Sequence, residues 1–389
     1  MSSRQFVIGR REALGILGGG AIAFRQAAFG QSTPQFPKGA VIRTILKDMA
    51  PEELAGGATL FHEHMSIAPD FMTRWMAFNR AIRPATAGTG ARAGATGAGA
   101  AGAGTGRAGQ PAATPPANQT FFADDIDLMV EEMKAAKADG VACLVDGGHE
   151  DMGRKLENLK LMSERSGMPI VAGGGFYSQP FYPPEIATMS EDEIAQVIIK
   201  RANTQPLGAL GEIGTWDEMT ADERKVFRAV GKAHLETNLP IFTHTNFGKG
   251  AIEQLDVFES VGVNPAHVCI GHVGGLRDAE VEVPKAICKR GAFVGYDRQG
   301  GAGDAPNVPQ VKTLIEAGYA GNLLFSSDLS SAAQLKHNGG AGYGKTVTVF
   351  VPKLREAGVK EEVLHGILVD NPRRFLAFVP RKSRKSLGF

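Results

Sequence analysis

Thr59-Leu60-Phe61-His62-Glu63-His64 is the stretch on which the reading of this chain turns. A short apolar run ends in two histidines one residue apart. On a β-strand, side chains two residues apart share a face. Both imidazoles can therefore aim at one metal ion where the strand stops. Taken alone, the pair is equally well two ordinary, partly buried histidines. What separates the two readings is whether later strands bring further donors to the same edge.

The chain around this stretch alternates regularly. Short apolar runs predict strands over 58–64, 141–146, 169–172, 208–213, 239–244, 267–272, 292–297 and 322–328. Segments of helical period lie over 124–138, 153–165, 191–202, 220–237, 250–261, 278–290, 308–317, 346–357 and 360–378. Thr220 and Glu223 have the spacing of a capping box, and Ser190 caps the helix that follows it. Short apolar strands alternating with helices imply a parallel sheet covered by helices. Eight such units fit a (β/α)8 TIM barrel, whose active site lies at the C-terminal ends of the strands. An open, doubly wound sheet is the competing fold, but no Gly-x-Gly-x-x-Gly follows the first strand.

The strand ends carry a pattern. The first ends at His62 and His64, the fourth at Glu212, the fifth at His244, the sixth at His272 and the eighth at Asp328. Four histidines and two carboxylates supply enough donors for two divalent metals about 3.5–4 Å apart. His62, His64 and Asp328 suit one ion, and His244 and His272 the other. Glu212 is the candidate carboxylate between them. Such a donor set fits zinc first, and also cobalt, manganese or iron. Two such ions would share a bridging hydroxide, which Asp328 is placed to orient and to relieve of its proton. Glu63 points away by strand alternation and reads as a structural partner.

These motifs resemble the phosphotriesterase family of the amidohydrolase superfamily. The resemblance runs from about residue 54 to 378. It rests on Thr59 to His64, Phe242-Thr243-His244-Thr245, Val268-Cys269-Ile270-Gly271-His272, Ser327-Asp328, and Asn371-Pro372-Arg373-Arg374-Phe375. It implies a distorted (β/α)8 barrel of the metal-dependent hydrolase type, a binuclear metal centre, and hydrolysis of esters, lactones or phosphotriesters. It also implies that a homodimer is common. Many family members bridge the metals with a carbamylated lysine at the end of the fourth strand. Here Glu212 stands in that place, and a glutamate can bridge two metals directly. Val294-Gly295-Tyr296-Asp297-Arg298-Gln299-Gly300 resembles the Asp-Arg-aromatic-Gly stretch of the lactonase-like branch, with Gln299 in place of the aromatic residue. Asp297 and Arg298 either line the pocket or pair with each other across the barrel rim. Tyr177, after Gly173-Gly174-Gly175, either faces substrate or packs the rim.

Composition narrows the partners. The 389 residues carry a net charge of +1 with no basic block beside a core motif, which gives no footprint for nucleic acid. Arg10-Arg11, an apolar run over 13–24 and Ala28-Phe29-Gly30 read as a twin-arginine-type signal peptide over 1–30, and so predict a periplasmic or secreted protein. Residues 31–389 read as one barrel domain with no membrane span. Residues 84–117 are Ala, Gly, Thr and Pro with a few arginines, too poor in bulky apolar groups to offset the entropy of ordering. They read as a flexible insertion after the first strand. Cys143, Cys269 and Cys288 are too few and too scattered for a disulfide framework or a cysteine zinc site.

The leading expectation is thus an exported binuclear hydrolase that opens a lactone or cleaves a carboxylic ester. Phosphotriester hydrolysis is the nearest alternative, and amide hydrolysis or deamination on the same fold a third. From another class comes an exported metal-binding barrel without turnover. Asp328 separates that reading from the others, because a purely structural site has no use for an extra carboxylate beside the attacking water.

Overall fold

The computed structural model describes residues 34–82 and 120–381, apart from 277 and 279. The expected signal peptide and the whole of the expected insertion lie outside these residues. The chain enters through a small antiparallel hairpin, β1 (Ile42–Arg43) and β2 (Asp48–Met49), which has no counterpart among the predicted elements.

Eight parallel strands follow: β3 (Ala58–Glu63), β4 (Val141–Asp146), β5 (Ile170–Ala172), β6 (Leu210–Gly214), β7 (Ile241–His244), β8 (Val268–Ile270), β9 (Phe293–Tyr296) and β10 (Leu323–Phe325). They form two hydrogen-bonded sheets, β3-β4-β5 and β6-β7-β8-β9-β10. Both seams are crossed outside the regular ladder. Between β5 and β6 an isolated parallel bridge joins Ala172 to Leu207, and Gly211 N donates to Gly174 O (2.9 Å). A Cβ on Gly173 would lie 2.0 Å from Gly211 O, so only glycine lets the two sheets meet there. Between β10 and β3 the Ser326 hydroxyl takes the place of backbone: it accepts from His62 N (3.0 Å) and shares its one hydrogen between His62 O (2.7 Å) and Glu63 Oε1 (2.7 Å). Eight parallel strands with two such seams match the expected distorted barrel.

Two of the register shifts in the ladders carry site residues. The β3–β4 ladder shifts register between Leu60 and Glu63, and the β6–β7 ladder between Leu210 and Ile213. Such irregularities re-aim side chains. Phe61 joins the apolar cluster inside the barrel with Cys143, Val145, Val171, Phe242 and Leu324, while its neighbour His62 also lies over the Phe242 ring, 5.4 Å between centroids. All three cysteines are free and buried.

The helices cover the strands: α1 (Phe71–Ile82), α2 (Ile126–Ala138), α3 (Leu156–Ser166), α4 (Glu191–Thr204), α5 (Ala221–Thr237), α6 (Ala251–Ser260), α7 (Glu282–Lys289) and α8 (Asp304–Glu316). Helix α1 is not among the predicted segments. The α5 cap forms as expected, with Glu223 N donating to Thr220 Oγ1 (3.1 Å) and Thr220 N to Glu223 Oε2 (3.0 Å). Helix α7 starts four residues later than predicted. That start puts Pro284 in the first turn, where its missing N–H has no intrahelical partner to lose. The two C-terminal helical stretches are broken by wide π-type turns at Thr346–Phe350 and Gly366–Asp370. Pro352 and Pro372 follow them by two residues, each removing a donor that regular α spacing would use. Among the described residues no helix is long and apolar enough to cross a membrane.

Candidate metal centre

The C-terminal edge of the barrel brings His62, His64, Glu212, His244, His272 and Asp328 into one cluster. The first five are at most 3 % exposed, and the Asp328 side chain is 15 % exposed. The Glu212 carboxylate divides its two oxygens. Oε2 lies 2.7 Å from His62 Nε2 and 3.1 Å from His64 Nε2. Oε1 lies 2.5 Å from His244 Nδ1 and 3.6 Å from His272 Nε2. Asp328 divides likewise, with Oδ1 3.2 Å from His64 Nε2 and Oδ2 3.8 Å from His272 Nε2. Two sets, His62–Glu212–His272 and His62–His64–Asp328, hold ligand atoms mutually within 4.8 Å.

His272 and Asp328 do not sit in strands. Both lie beyond the last ladder residue of β8 and β10, with left-handed backbone at φ 58° and 51°. Non-glycine residues hold this conformation only where their surroundings impose it, and they gather at functional sites. The imposing contacts are visible. His272 N donates to Asp297 Oδ1 (3.0 Å), and Asp328 N donates to His62 O (3.2 Å).

Asp297 pairs with the histidines and not with Arg298. Its Oδ2 lies 2.9 Å from His62 Nδ1 and its Oδ1 2.8 Å from His272 Nδ1. Both rings are thereby turned so that Nε2 faces Glu212. Arg298 reaches the other way: its Nε donates to Asp328 Oδ2 (3.1 Å) and its guanidinium covers the Phe247 ring at 5.1 Å. The sequence had offered rim pairing or pocket lining for these two residues. The structure places Asp297 against the rings of the cluster and Arg298 at its mouth. Tyr177 is buried over His244, its hydroxyl 3.2 Å from Nδ1, with its ring against Phe71 and Phe181. His149 is buried beside Asp151 outside the cluster, both ring nitrogens unpartnered among the described residues.

The residues fit divalent metal. Four ring nitrogens and four carboxylate oxygens converge in a buried volume, and His272 Nε2 faces His244 Nδ1 at only 2.9 Å. Imidazole and carboxylate are the donors zinc and its neighbours take. Protons alone serve the cluster badly. Burial opposes charge on His64, yet its bonds to Asp328 and Glu212 raise it to about 10. Burial likewise opposes charge on His62, but Glu212 and Asp297 outweigh it and raise it well above the histidine range. His244 goes the opposite way, pulled by burial to about 4. Burial disfavours charge on Asp328 and Glu212 too, yet the histidines hold both well below the carboxylate range. The carboxylates thus demand positive charge that the rings supply unevenly.

Residues 42–376 match the model of the Phosphotriesterase family. The chain belongs to the phosphotriesterase family. It is 30 % identical over 262 residues to the phosphotriesterase homology protein of Escherichia coli (strain K12), over 65 % of this chain and 89 % of that protein. It is 24 % identical over 357 residues to the N-acetyltaurine hydrolase of Xenopus tropicalis, over 87 % of this chain and 98 % of that protein. The crystal structure of the E. coli protein, complexed with phosphate in its active site, superposes with a TM-score of 0.67 at 25 % identity, over 83 % of this chain and 99 % of that one. This phosphotriesterase-family hydrolase therefore presents, on the family's barrel, side-chain clusters able to hold metal.

Two participants were not legible as such. Asp297 ends the seventh predicted strand, but its grip on two rings 235 and 25 residues away leaves no local trace. Glu63 was read as turned away, and it is, but its partners are the serines beside Asp328: it accepts from Ser326 Oγ (2.7 Å), Ser327 N (2.8 Å) and Leu329 N (2.8 Å).

Proposed function

We propose that the protein is a hydrolase with two divalent ions at this cluster, zinc first among them, acting on a lactone or carboxylic ester. The observation that carries the reading is the division of Glu212, one oxygen toward His62 and His64, the other toward His244 and His272. A carboxylate so placed would be able to hold two ions without carbon dioxide. His62, His64 and Asp328 would hold one ion, and His244 and His272 the other. When bound, such ions acidify water and polarise the oxygen of a C=O or P=O group.

The chain's own residues supply the rest. Asp328, the most open of the six, takes the proton of the attacking water and passes it to the leaving group. Arg298 on its outer oxygen keeps it ionised and fixes its orientation. Asp297 fixes the two rings it touches, a role that second-sphere carboxylates play for metal-bound histidine. Tyr177 closes the His244 side to water and leaves approach from the side of Asp328 and Arg298.

A second reading, hydrolysis of an N-acyl amide, is favoured by one observation: the N-acetyltaurine hydrolase aligns along 98 % of its length. Phosphotriesters share the same attack and stand as a side reaction. The test is turnover of lactone, aryl ester, N-acyl amide and aryl phosphotriester by metal-reconstituted wild type and Asp328→Asn. The proposal expects ester or lactone turnover and a loss of ~10²-fold or more in the variant. Equal rates in the two would overturn it, and turnover of the amide alone would favour the second reading. Export through residues 1–30 is part of the proposal, supported by Arg10-Arg11 and the apolar run that follows. A fusion retained in the cytoplasm of cells with an intact twin-arginine pathway would contradict it.

A further inference from the structure

Lys345 is a cation without a partner. The residue is 9 % exposed, yet among the described residues no carboxylate pairs with it. The acids around it are engaged elsewhere. Asp328 holds Arg298, Asp304 holds Lys353 at 2.6 Å, and Glu63 is saturated by the serine loop. A buried ammonium normally finds an anion, because burial disfavours the charge.

Its position is the mouth of the cluster. Two residues earlier, the Tyr343 hydroxyl donates to His64 O (2.8 Å), which pins this loop over β3. The Lys345 stem lies along Gly300, where a Cβ would come 2.3 Å from Lys345 Cδ. Gly300 is two residues beyond Arg298, so the loops after β9 and β10 carry their cations on the same rim. This is also the open side. Arg298 and Asp328 are 31 % and 15 % exposed, whereas the histidines are at most 4 %.

We infer that Lys345, with Arg298 beside it, binds an anionic group of the substrate, so that the protein acts on acyl compounds bearing a carboxylate, sulfonate or phosphate monoester near the scissile bond. This rests on the hydrolase reading above and adds the substrate class. Neutral esters and lactones lack the group that would complete the Lys345 site. Arg298 alone does not carry the assignment, because Asp328 already occupies one face of its guanidinium. Among the described residues Lys345 has no such prior partner.

The test uses metal-loaded protein and two kinds of probe. In calorimetry, 5-oxohexanoate, a ketone that cannot be hydrolysed, is compared with the neutral 2-heptanone. In kinetics, mono-4-nitrophenyl glutarate is compared with its methyl ester. Wild type should prefer the anionic member at least tenfold in both. Lys345→Met should reduce that ratio to threefold or less, and Lys345→Arg should keep most of it. Equal binding of the two ketones by wild type, or an unchanged ratio in Lys345→Met, would overturn the inference. Should that variant not fold, the wild-type ketone comparison decides alone. Preferential binding of 5-oxohexanoate without turnover of any ester would sink the hydrolase reading and leave the anion site standing.

Discussion

Glu63 holds Ser327 by two groups: the Ser327 amide and hydroxyl both donate to its carboxylate, at 2.8 and 2.9 Å. One residue comes from the first barrel strand and the other from the loop after the last. The contact therefore closes the seam that no ladder crosses, and it carries Asp328 on the closing segment.

Glu63→Gln keeps the shape and loses one acceptor. An amide NH2 would then face donors, Leu329 N among them. Leaving a buried donor unsatisfied costs ~1–3 kcal/mol. Chemical denaturation of the metal-free protein should show a loss in that range, and activity should fall more than folding does, because Asp328 loses its support. Unchanged stability would mean that the seam is held elsewhere.

The histidines predict how the metal-free protein responds to pH. His64 is raised to about 10 from an ordinary 6.5. A histidine raised on folding stabilises fully below its unfolded value, and that contribution fades as pH climbs through the folded value. Metal-free protein should thus lose stability between about pH 6.5 and 10, and loaded protein should not. Metal uptake in the same window should release protons, which a pH-stat or buffer-dependent calorimetry reads. Proton-neutral uptake at pH 8 would contradict the charge assignment.

Asp297→Asn retains the size but weakens the acceptor for two rings at once. Loss of such a partner typically costs 10–100-fold in metal affinity. Competition with a chelator should show the weaker of the two ions released first, and a fall in kcat that excess metal partly restores.

Tyr177→Phe and Tyr177→Ala should part company. The phenylalanine variant keeps the packing on Phe71 and Phe181. It should fold normally and show up to ~10-fold lower kcat/KM, consistent with one lost hydrogen bond of ~1.4 kcal/mol or less. The alanine variant opens a cavity beside His244 and should lose ~3–5 kcal/mol, as large aromatic truncations do. If both behave alike, the hydroxyl and not the ring is what matters.

Much of this is legible in the sequence. The period of two that places His62 and His64 together is a property of any strand, and the later strand ends announce Glu212, His244, His272 and Asp328 by their apolar lead-ins. What stayed hidden has physical causes. The shifts at Leu60 and at Leu210 break the alternation that sequence reading assumes, so Phe61 and His62 share an interior. His272 and Asp328 owe their place to left-handed backbone, which no glycine at either position signals. Asp297 acts through partners distant in the chain, and the burial of Lys345 leaves no mark on the sequence, since a buried charge looks, in one dimension, like any other. Helix α1, in which only Phe71 is fully buried, is not among the predicted segments.

The central claim is that Glu212 bridges two ions. Elemental analysis after equilibrium dialysis against zinc, for wild type and Glu212→Gln side by side, tests it most directly. The account predicts two equivalents per chain in wild type and one or fewer in the variant. Two equivalents in Glu212→Gln at the same free zinc, or a single equivalent in wild type at saturation, would contradict it.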